Sequence, residues 1–506
     1  MAYAITQTCC TDAACVAVCP VNCIHPTPEE KEFGSTEMLH IDPRACIDCG
    51  ACADACPVDA VLPVDSLRGG QRAYAALNAD HFADPPPEPE DGSPNFHAWG
   101  GPSFARVLPA DFPPLRVAVV GTGPAGMYAV EDLVLHTGAE VTLVDRLPEP
   151  GGLARYGVAP DHPATRRVGA RFARFHEHPR VRLHLGLDIG GGTGVGHDEL
   201  AAHHDAVVYA VGASGDRRIG IPGEDLPGSL SATAFVGWYN GRPDAPQETV
   251  DLSSARVVVV GNGNVALDMA RILLSDPESL AGTDIAPRAL EELRRSAVRE
   301  VVVLGRRGPE DAACTRPEML ALKHLPGVDL VVDDHDARIG RSIDASDPPG
   351  RAGMFRGVAR ETIDWTVPPA AGRRIVLRFR SAPTALLGEG RVAAVRTTDG
   401  TGGRDIPAGT VLRAVGHRGR PVPGLPFDER TGTVPHDAGR VTGRPGTYVV
   451  GWIKRGPSGG IGANRGCAAE TVGSLLADAV AGNLPAPTGT PRSFARLARR
   501  RRRGRN

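Results

Sequence analysis

No apolar run in this chain approaches the ~20 residues that a membrane-crossing helix needs, so no such span is expected. The first residues, Met1 to Cys15, lack both a basic head and a long apolar stretch, so no secretory signal is expected and a cytoplasmic location follows by default. Aromatic residues are few, at 5%, against 42% hydrophobic residues in total, which fits a water-soluble globular protein. Cysteine is scarce over most of the chain: beyond Cys56 there are Cys314 and Cys467 alone. That scarcity counts against a disulfide reductase, a rival that can share the architecture proposed below but needs a redox-active cysteine pair. At 506 residues, several domains are expected instead of one core.

What is present centres on Val117-Ala118-Val119-Val120-Gly121-Thr122-Gly123-Pro124-Ala125-Gly126, a buried strand turning into a helix through a G-x-G-x-x-G spacing. Gly121 permits the tight turn, Gly123 lets the backbone approach a pyrophosphate, and Gly126 lets the helix pack against the strand. A glycine turn alone is weak evidence. The second strand of the unit, Val141 to Val144, ends in Asp145, the acid expected about 20 residues on to accept hydrogen bonds from a ribose.

A second cradle follows Arg256 to Val260, as Gly261-Asn262-Gly263-Asn264-Val265-Ala266. Its next strand, Val301 to Leu304, runs into Gly305-Arg306-Arg307. Cations stand there in place of an acid, and paired arginines match a 2'-phosphate, which favours NADP(H) over NAD(H). Between the cradles, Pro150 to Pro163 is too rich in glycine and proline for a regular element and reads as a loop lying across a ligand. Within it His162 is the candidate catalytic residue, weighed against an ordinary loop histidine. A third glycine-rich turn, from Tyr448 through Trp452 to Gly459-Gly460-Ile461-Gly462, offers amides able to close over an isoalloxazine ring.

Nine of the eleven cysteines lie between Cys9 and Cys56. Cys46-x2-Cys49-x2-Cys52-x3-Cys56-Pro57 is the bacterial iron–sulfur run whose fourth cysteine ligates the other cluster. Upstream, Cys9-x2-Asp12-x2-Cys15-x3-Cys19-Pro20 repeats it with Asp12 in place of one cysteine. Cys46, Cys49, Cys52 and Cys19 are therefore assigned to a [4Fe-4S] cluster. Cys9, Cys15 and Cys56 hold a second, either [3Fe-4S] or, with Asp12 as a ligand, [4Fe-4S]. Cys10 and Cys23 fall outside the pattern and read as packing residues. Residues 1–62 carry nine acids against Lys31 and Arg44, so this small domain suits basic docking surfaces.

The chain is similar to the ferredoxin–NADP reductases of the adrenodoxin-reductase subgroup, in the actinobacterial form with a ferredoxin fused at the N-terminus. The resemblance rests on VGTGPAG, GVAPDHP, GNGNVALD, GRRGP and GWIKRGP and spans nearly the whole chain. It departs at Ala154, where valine is usual, and at Asn464-Arg465-Gly466-Cys467. The resemblance implies FAD contacts from Ala125, Asp145, Leu153, Ile189, Trp452 and Gly459 to Ile461. It implies NADP contacts from Asn262, Gly263, Asn264, Val265, Arg306, Arg307, Glu318 and Gly459.

The expected fold is an α+β ferredoxin-like N-terminal domain followed by an α/β flavoprotein of two dinucleotide-binding domains, the NADP domain inserted into the FAD domain. The boundaries are 1–62 for the ferredoxin domain, 63–114 for a proline-rich linker that leaves the head tethered, 115–213 and 415–485 for the FAD domain, and 214–414 for the NADP domain. Residues 486–506 form a basic tail, expected to be disordered. Its eight arginines between Arg492 and Arg505 lift the formal charge to -3 from near -11.

Nicotinamide gives up two electrons as hydride and a cluster takes one at a time, so a flavin is the natural converter. The expected activity is electron transfer from NADPH through FAD to clusters of the attached head, of a separate ferredoxin or of another one-electron acceptor. No membrane partner is expected. A nucleic-acid-binding redox sensor using the arginine tail is the remaining rival, ranked below a tail with no nucleic-acid role.

Overall fold

The N-terminal unit is closed by two short antiparallel pairings, Tyr3–Ile5 with Val61–Pro63 and Ile24–His25 with His40–Ile41, which fold the two cysteine runs back on each other. In the computed structural model, residues 2–83, 106, 108–245, 250–347, 350–398 and 402–503 are described. The unit does not stop at residue 62. A helix, Ala73–Asp80, packs under both pairings, where the buried Asn78 accepts from the amides of Ile5 (3.0 Å) and Ile41 (2.9 Å) and donates to the Ile5 carbonyl (2.8 Å). One amide side chain thus ties the two hairpins together, and its polarity made the segment read as linker. The proline run from Asp84 to Gly92 lies outside the described residues.

The next sheet has seven strands in the order His436–Asp437, Arg440–Val441, Thr447–Val449, Ala206–Tyr209, Arg116–Val120, Glu140–Val144 and Val181–His184. The last five run parallel. A second seven-stranded sheet is parallel throughout: Ser229–Ser231, Thr410–Arg413, Arg256–Val260, Glu300–Leu304, Arg373–Arg378, Val328–Asp333 and Ala359–Glu361. Its central strands RVVVV and EVVVL are buried along their whole length, as a sheet covered on both faces requires. The second sheet is inserted into the first, and the two crossing segments pair with each other as a short antiparallel ribbon, Gly215–Asp216 with His417–Arg418.

Over residues 491–503 the expected disorder of the basic tail does not hold. Pro491–Arg503 is a helix. Phe494 and Ala498 are buried against the first sheet, Phe494 in edge contact with His184, His203 and His204. Arg501 pairs with Glu199 at 2.8 Å. An apolar step at i and i+4 is enough to seat the helix, and the surrounding arginines hid it. Among the described residues, no helix is long and apolar enough to cross a membrane.

Candidate functional site

Both glycine cradles have the same backbone. Gly121 (φ +112°) and Gly261 (φ +113°) take a conformation that L side chains rarely adopt, and a Cβ would lie 2.4 Å from the Ala210 carbonyl oxygen in one and 2.3 Å from that of Ala414 in the other. Helices Pro124–His136 and Asn264–Leu274 start immediately after them, leaving first-turn amides directed at the cradle. The loop over the first cradle is drawn in at Gly152, whose Cβ would meet the Gly123 Cα at 2.7 Å, and the Gly151 amide donates to the Thr122 hydroxyl. Gly126 is held by the Gly121 carbonyl, 2.0 Å from where its own Cβ would stand.

Asp145 has work that the sequence reading did not foresee. One carboxylate oxygen accepts from the Thr122 amide (2.9 Å) and hydroxyl (2.5 Å), and the other from the Leu147 amide (2.9 Å), so this acid pins the cradle itself. Of the other positions, Ala125 abuts Gly451 at the start of the third glycine turn. Trp452 donates from its indole to the carbonyls of Ser458 and Gly459, which folds that turn back on itself. Leu153 is exposed on the loop over the cradle, whereas Ile189 is buried beside Val120 and Val144 at the strand ends.

At the second cradle, the Asn264 side chain accepts from the Thr315 amide at 2.8 Å and donates to its hydroxyl at 3.1 Å. The Asn262 side chain lies against Gly305, where a Cβ would meet its nitrogen at 2.7 Å. Strands Arg256–Val260 and Glu300–Leu304 pair in parallel with Val260 opposite Leu304, so Arg306 and Arg307 emerge beside Asn262 and Gly263. Both arginines are exposed, and Arg307 is paired with Asp311 at 3.1 Å.

Between the cradles the structure assembles a buried charge cluster that only His162 and Glu318 announced in sequence. Arg271, 5% exposed, reaches Asp161 through Nε (2.6 Å) and Nη2 (3.1 Å), Asp268 (2.7 Å), Glu318 (3.5 Å) and His162 Nε2 (2.9 Å). A guanidinium can only donate, so Nε2 is the acceptor and the proton of the neutral imidazole sits on Nδ1. Burial, with Arg271 next, holds His162 below its ordinary range, consistent with a neutral ring. Burial and then Asp268 push the Glu318 carboxyl up to about 8. His162, Asp268 and Glu318 place ligand atoms within 4.8 Å of one another, a spacing suited to a metal ion, but the Arg271 guanidinium contacts all three. The protein supplies its own cation there.

A carboxyl held near 8 makes stability depend on pH. Between its ordinary 4.5 and about 8 the native state binds a proton that the unfolded chain has released, so stability falls as pH rises through that window. Glu318→Gln is expected to remove this slope, worth on the order of a few kcal/mol, in urea-unfolding midpoints measured from pH 5 to 8.5. An unchanged slope would show that Glu318 is ionised at neutral pH.

In the N-terminal unit, Cys19, Cys46, Cys49 and Cys52 line one cavity with Tyr3, Val21, Ile41, Ile47 and Gly50. Cys23 lines it too, its sulfur 3.5 Å from that of Cys19, so it packs against this cysteine group. Cys9, Cys15, Cys56 and Asp12 form the second group, close enough to raise one another's proton affinity after burial has done so. Asp12 caps its own turn by accepting from the Ala14 amide at 3.2 Å. Its other oxygen is buried without a hydrogen bond, 3.8 Å from Arg171. Cys314 and Cys467 lie in different domains, Cys314 against Met354 and Cys467 accepting from the Gly451 amide, so they do not form a dithiol pair.

The first flavoprotein stretch, residues 115–305, matches the family model described as pyridine nucleotide-disulphide oxidoreductase, and residues 8–60 match a 4Fe-4S dicluster domain. A probable ferredoxin/ferredoxin–NADP reductase of Mycobacterium tuberculosis is 47% identical over 99% of this chain and 88% of its own length. The human mitochondrial NADPH:adrenodoxin oxidoreductase is 38% identical over 77% of this chain and 84% of its own. The solved structure of M. tuberculosis FprA in complex with NADPH superposes with a TM-score of 0.68 at 40% identity, covering 77% of this chain and 90% of that one. A chain with this fold, these two cradles and relatives of this closeness along nearly all of its length belongs to the ferredoxin/ferredoxin–NADP reductase family.

Proposed function

We propose that the chain carries electrons between NADPH and iron–sulfur ferredoxin through FAD, with its own N-terminal head as the first acceptor. The observation that carries this reading is the docking of the cysteine-bearing head on the third glycine turn: the Gly462 amide donates to the Cys10 carbonyl at 3.0 Å, one residue from Cys9. FAD, when bound, accepts two electrons as hydride and releases them singly.

The residues present fit these groups. The first cradle, with Ala125, Leu153, Ile189, Trp452 and Gly459 to Ile461 around it, is the FAD site in this reading, and Asp145 holds it in shape. Asn262, Gly263, Asn264 and Val265 receive the NADP pyrophosphate, with Arg306 and Arg307 at the 2'-phosphate. His162 and Glu318, joined through Arg271 on the helix that leaves the second cradle, are the proton-bearing groups in this reading. Cys19, Cys46, Cys49 and Cys52 hold a [4Fe-4S] cluster; Cys9, Cys15 and Cys56 hold the other.

Carboxylate is a harder and weaker iron ligand than thiolate, and Asp12 is already engaged at one oxygen by its own turn and flanked by Arg171. The second cluster is therefore read as [3Fe-4S], giving about seven irons per chain and an oxidised three-iron EPR signal. Asp12→Cys is expected to raise the count to about eight and remove the signal. Eight irons in the parent, with no signal under oxidising conditions, would mean that Asp12 is a ligand.

A cytoplasmic location belongs to this reading, because thiolate ligands stay reduced there. Neither membrane nor nucleic acid has a role in it. Anaerobic titration with NADPH, followed by visible absorption and EPR, tests the whole proposal: flavin bleaching followed by new cluster signals supports it, and bleaching that never reaches the clusters sinks the role of the head.

A further inference from the structure

The head touches more than the FAD domain. On that side lie the Cys10–Gly462 hydrogen bond, Asp12 near Arg171, and an ion pair between Asp59 and Arg167. On the other side it meets the NADP domain at the Arg316–Lys323 helix that carries Glu318 and, through a Glu37–Arg351 ion pair of 3.5 Å, at the turn that starts at Arg351. Gly70 packs so closely on the last turn that a Cβ would stand 2.7 Å from the His324 Cβ.

The first turn of that helix is finished by residues of the head. Helices leave their first amides without partners, and Thr315, at the N-cap, makes no side-chain capping bond. The Arg316 amide instead donates to the Glu37 carboxylate of the head at 2.8 Å, placing an anion at the positive end of the helix. The next carbonyl, that of Pro317, accepts from the Tyr74 hydroxyl at 2.8 Å. Tyr74 is 1% exposed, so its ring is fixed and its hydroxyl has no water to turn to. Glu318 follows directly, with its carboxyl on Arg271 and through it on His162.

We propose that Tyr74 and Glu37 are positioning residues for the Glu318–Arg271–His162 cluster, so that the nicotinamide side of the enzyme is fully assembled only while the head is docked. This rests on the reading above, in which His162 and Glu318 are the proton-bearing groups that serve the flavin and nicotinamide sites. It makes the head a structural part of the NADP site as well as an electron acceptor. Departure of the head takes the Glu37 acceptor from the Arg316 amide and the Tyr74 donor from the Pro317 carbonyl, which loosens the turn that sets Glu318.

The test uses the full chain loaded with FAD and iron, as Tyr74→Phe, Glu37→Ala and the double variant. NADP+ binding, read from the flavin difference spectrum, is expected to weaken about three- to tenfold per lost hydrogen bond. The pH midpoint of single-turnover flavin reduction by NADPH should move, while FAD and iron contents stay at parent values. Amide exchange of residues 316–323 should speed up in the double variant without loss of protection across the rest of the head. Unchanged NADP+ affinity and an unchanged pH midpoint would overturn the proposal. So would protection lost evenly over the whole head, which is general undocking. If NADPH fails to reduce the parent flavin, the functional reading fails, and the exchange measurement still decides whether the head holds this helix.

Discussion

Replacing Arg306 and Arg307 together with uncharged residues is expected to lower kcat/KM for NADPH by roughly two to four orders of magnitude, at about 1.5–3 kcal/mol for each charge-assisted contact, and to leave NADH almost untouched. The expectation follows from register. Parallel pairing of Arg256–Val260 with Glu300–Leu304 brings both arginines to the edge of the second cradle, and both are exposed. Arg307 already shares its charge with Asp311, whereas Arg306 has no such partner among the described residues. The single Arg306 substitution should therefore cost more than the single Arg307 substitution. Steady-state kinetics with the two nucleotides, at fixed ionic strength, reads the result. A double variant that keeps its preference for NADPH would move the 2'-phosphate site elsewhere.

Removal of residues 1 to about 110 is the second large effect. The remaining chain retains both cradles, the third glycine turn and the residues of the Arg271 cluster, so it should bind FAD and, at NADPH concentrations raised to offset the missing head contacts, still pass electrons to small artificial acceptors. Delivery to cluster-dependent acceptors at micromolar concentration should fall about a hundredfold or more, because a covalently linked carrier is presented at an effective concentration in the millimolar range. The docked head strengthens the case, since it occupies the Gly462 turn without having to search for it. Equal delivery by the truncated and full chains would show that a separate ferredoxin takes the electrons directly.

The parts of this site legible in sequence are those whose chemistry lives in local spacing. Cysteines two and three residues apart wrap a cluster, and glycines two and three apart admit a pyrophosphate, whatever the rest of the chain does. The Arg271 cluster has no such spacing. Asp161 comes from a loop 110 residues before Arg271 and Glu318 from a helix 47 residues after it, and only the closing of two domains on each other brings them together. The head's last helix escaped for another reason. Asn78 looks like a linker residue until its amide is seen satisfying two strands at once. In the C-terminal helix, Phe494 and Ala498 carry the seat, but the charge around them dominates any reading of composition.

The ribbon joining the two dinucleotide domains has a consequence for engineering. Its strands, Gly215–Asp216 and His417–Arg418, begin within a few residues of Ala210 and Ala414, the residues whose carbonyls lie under Gly121 and Gly261. His417 also rests against the Trp452 ring, 5.5 Å between centroids, and Thr233 hydrogen-bonds to Asp216. The connectors are therefore not spare rope. In a protein whose domains hang on free loops, a sensor module or a circular cut can be spliced at the junction with little harm. Here a splice at residues 211–214 or 415–416 would tug on the floors of both nucleotide pockets, so insertions belong on outlying turns such as Gly388–Gly390, in the three-stranded sheet far along the chain from either cradle.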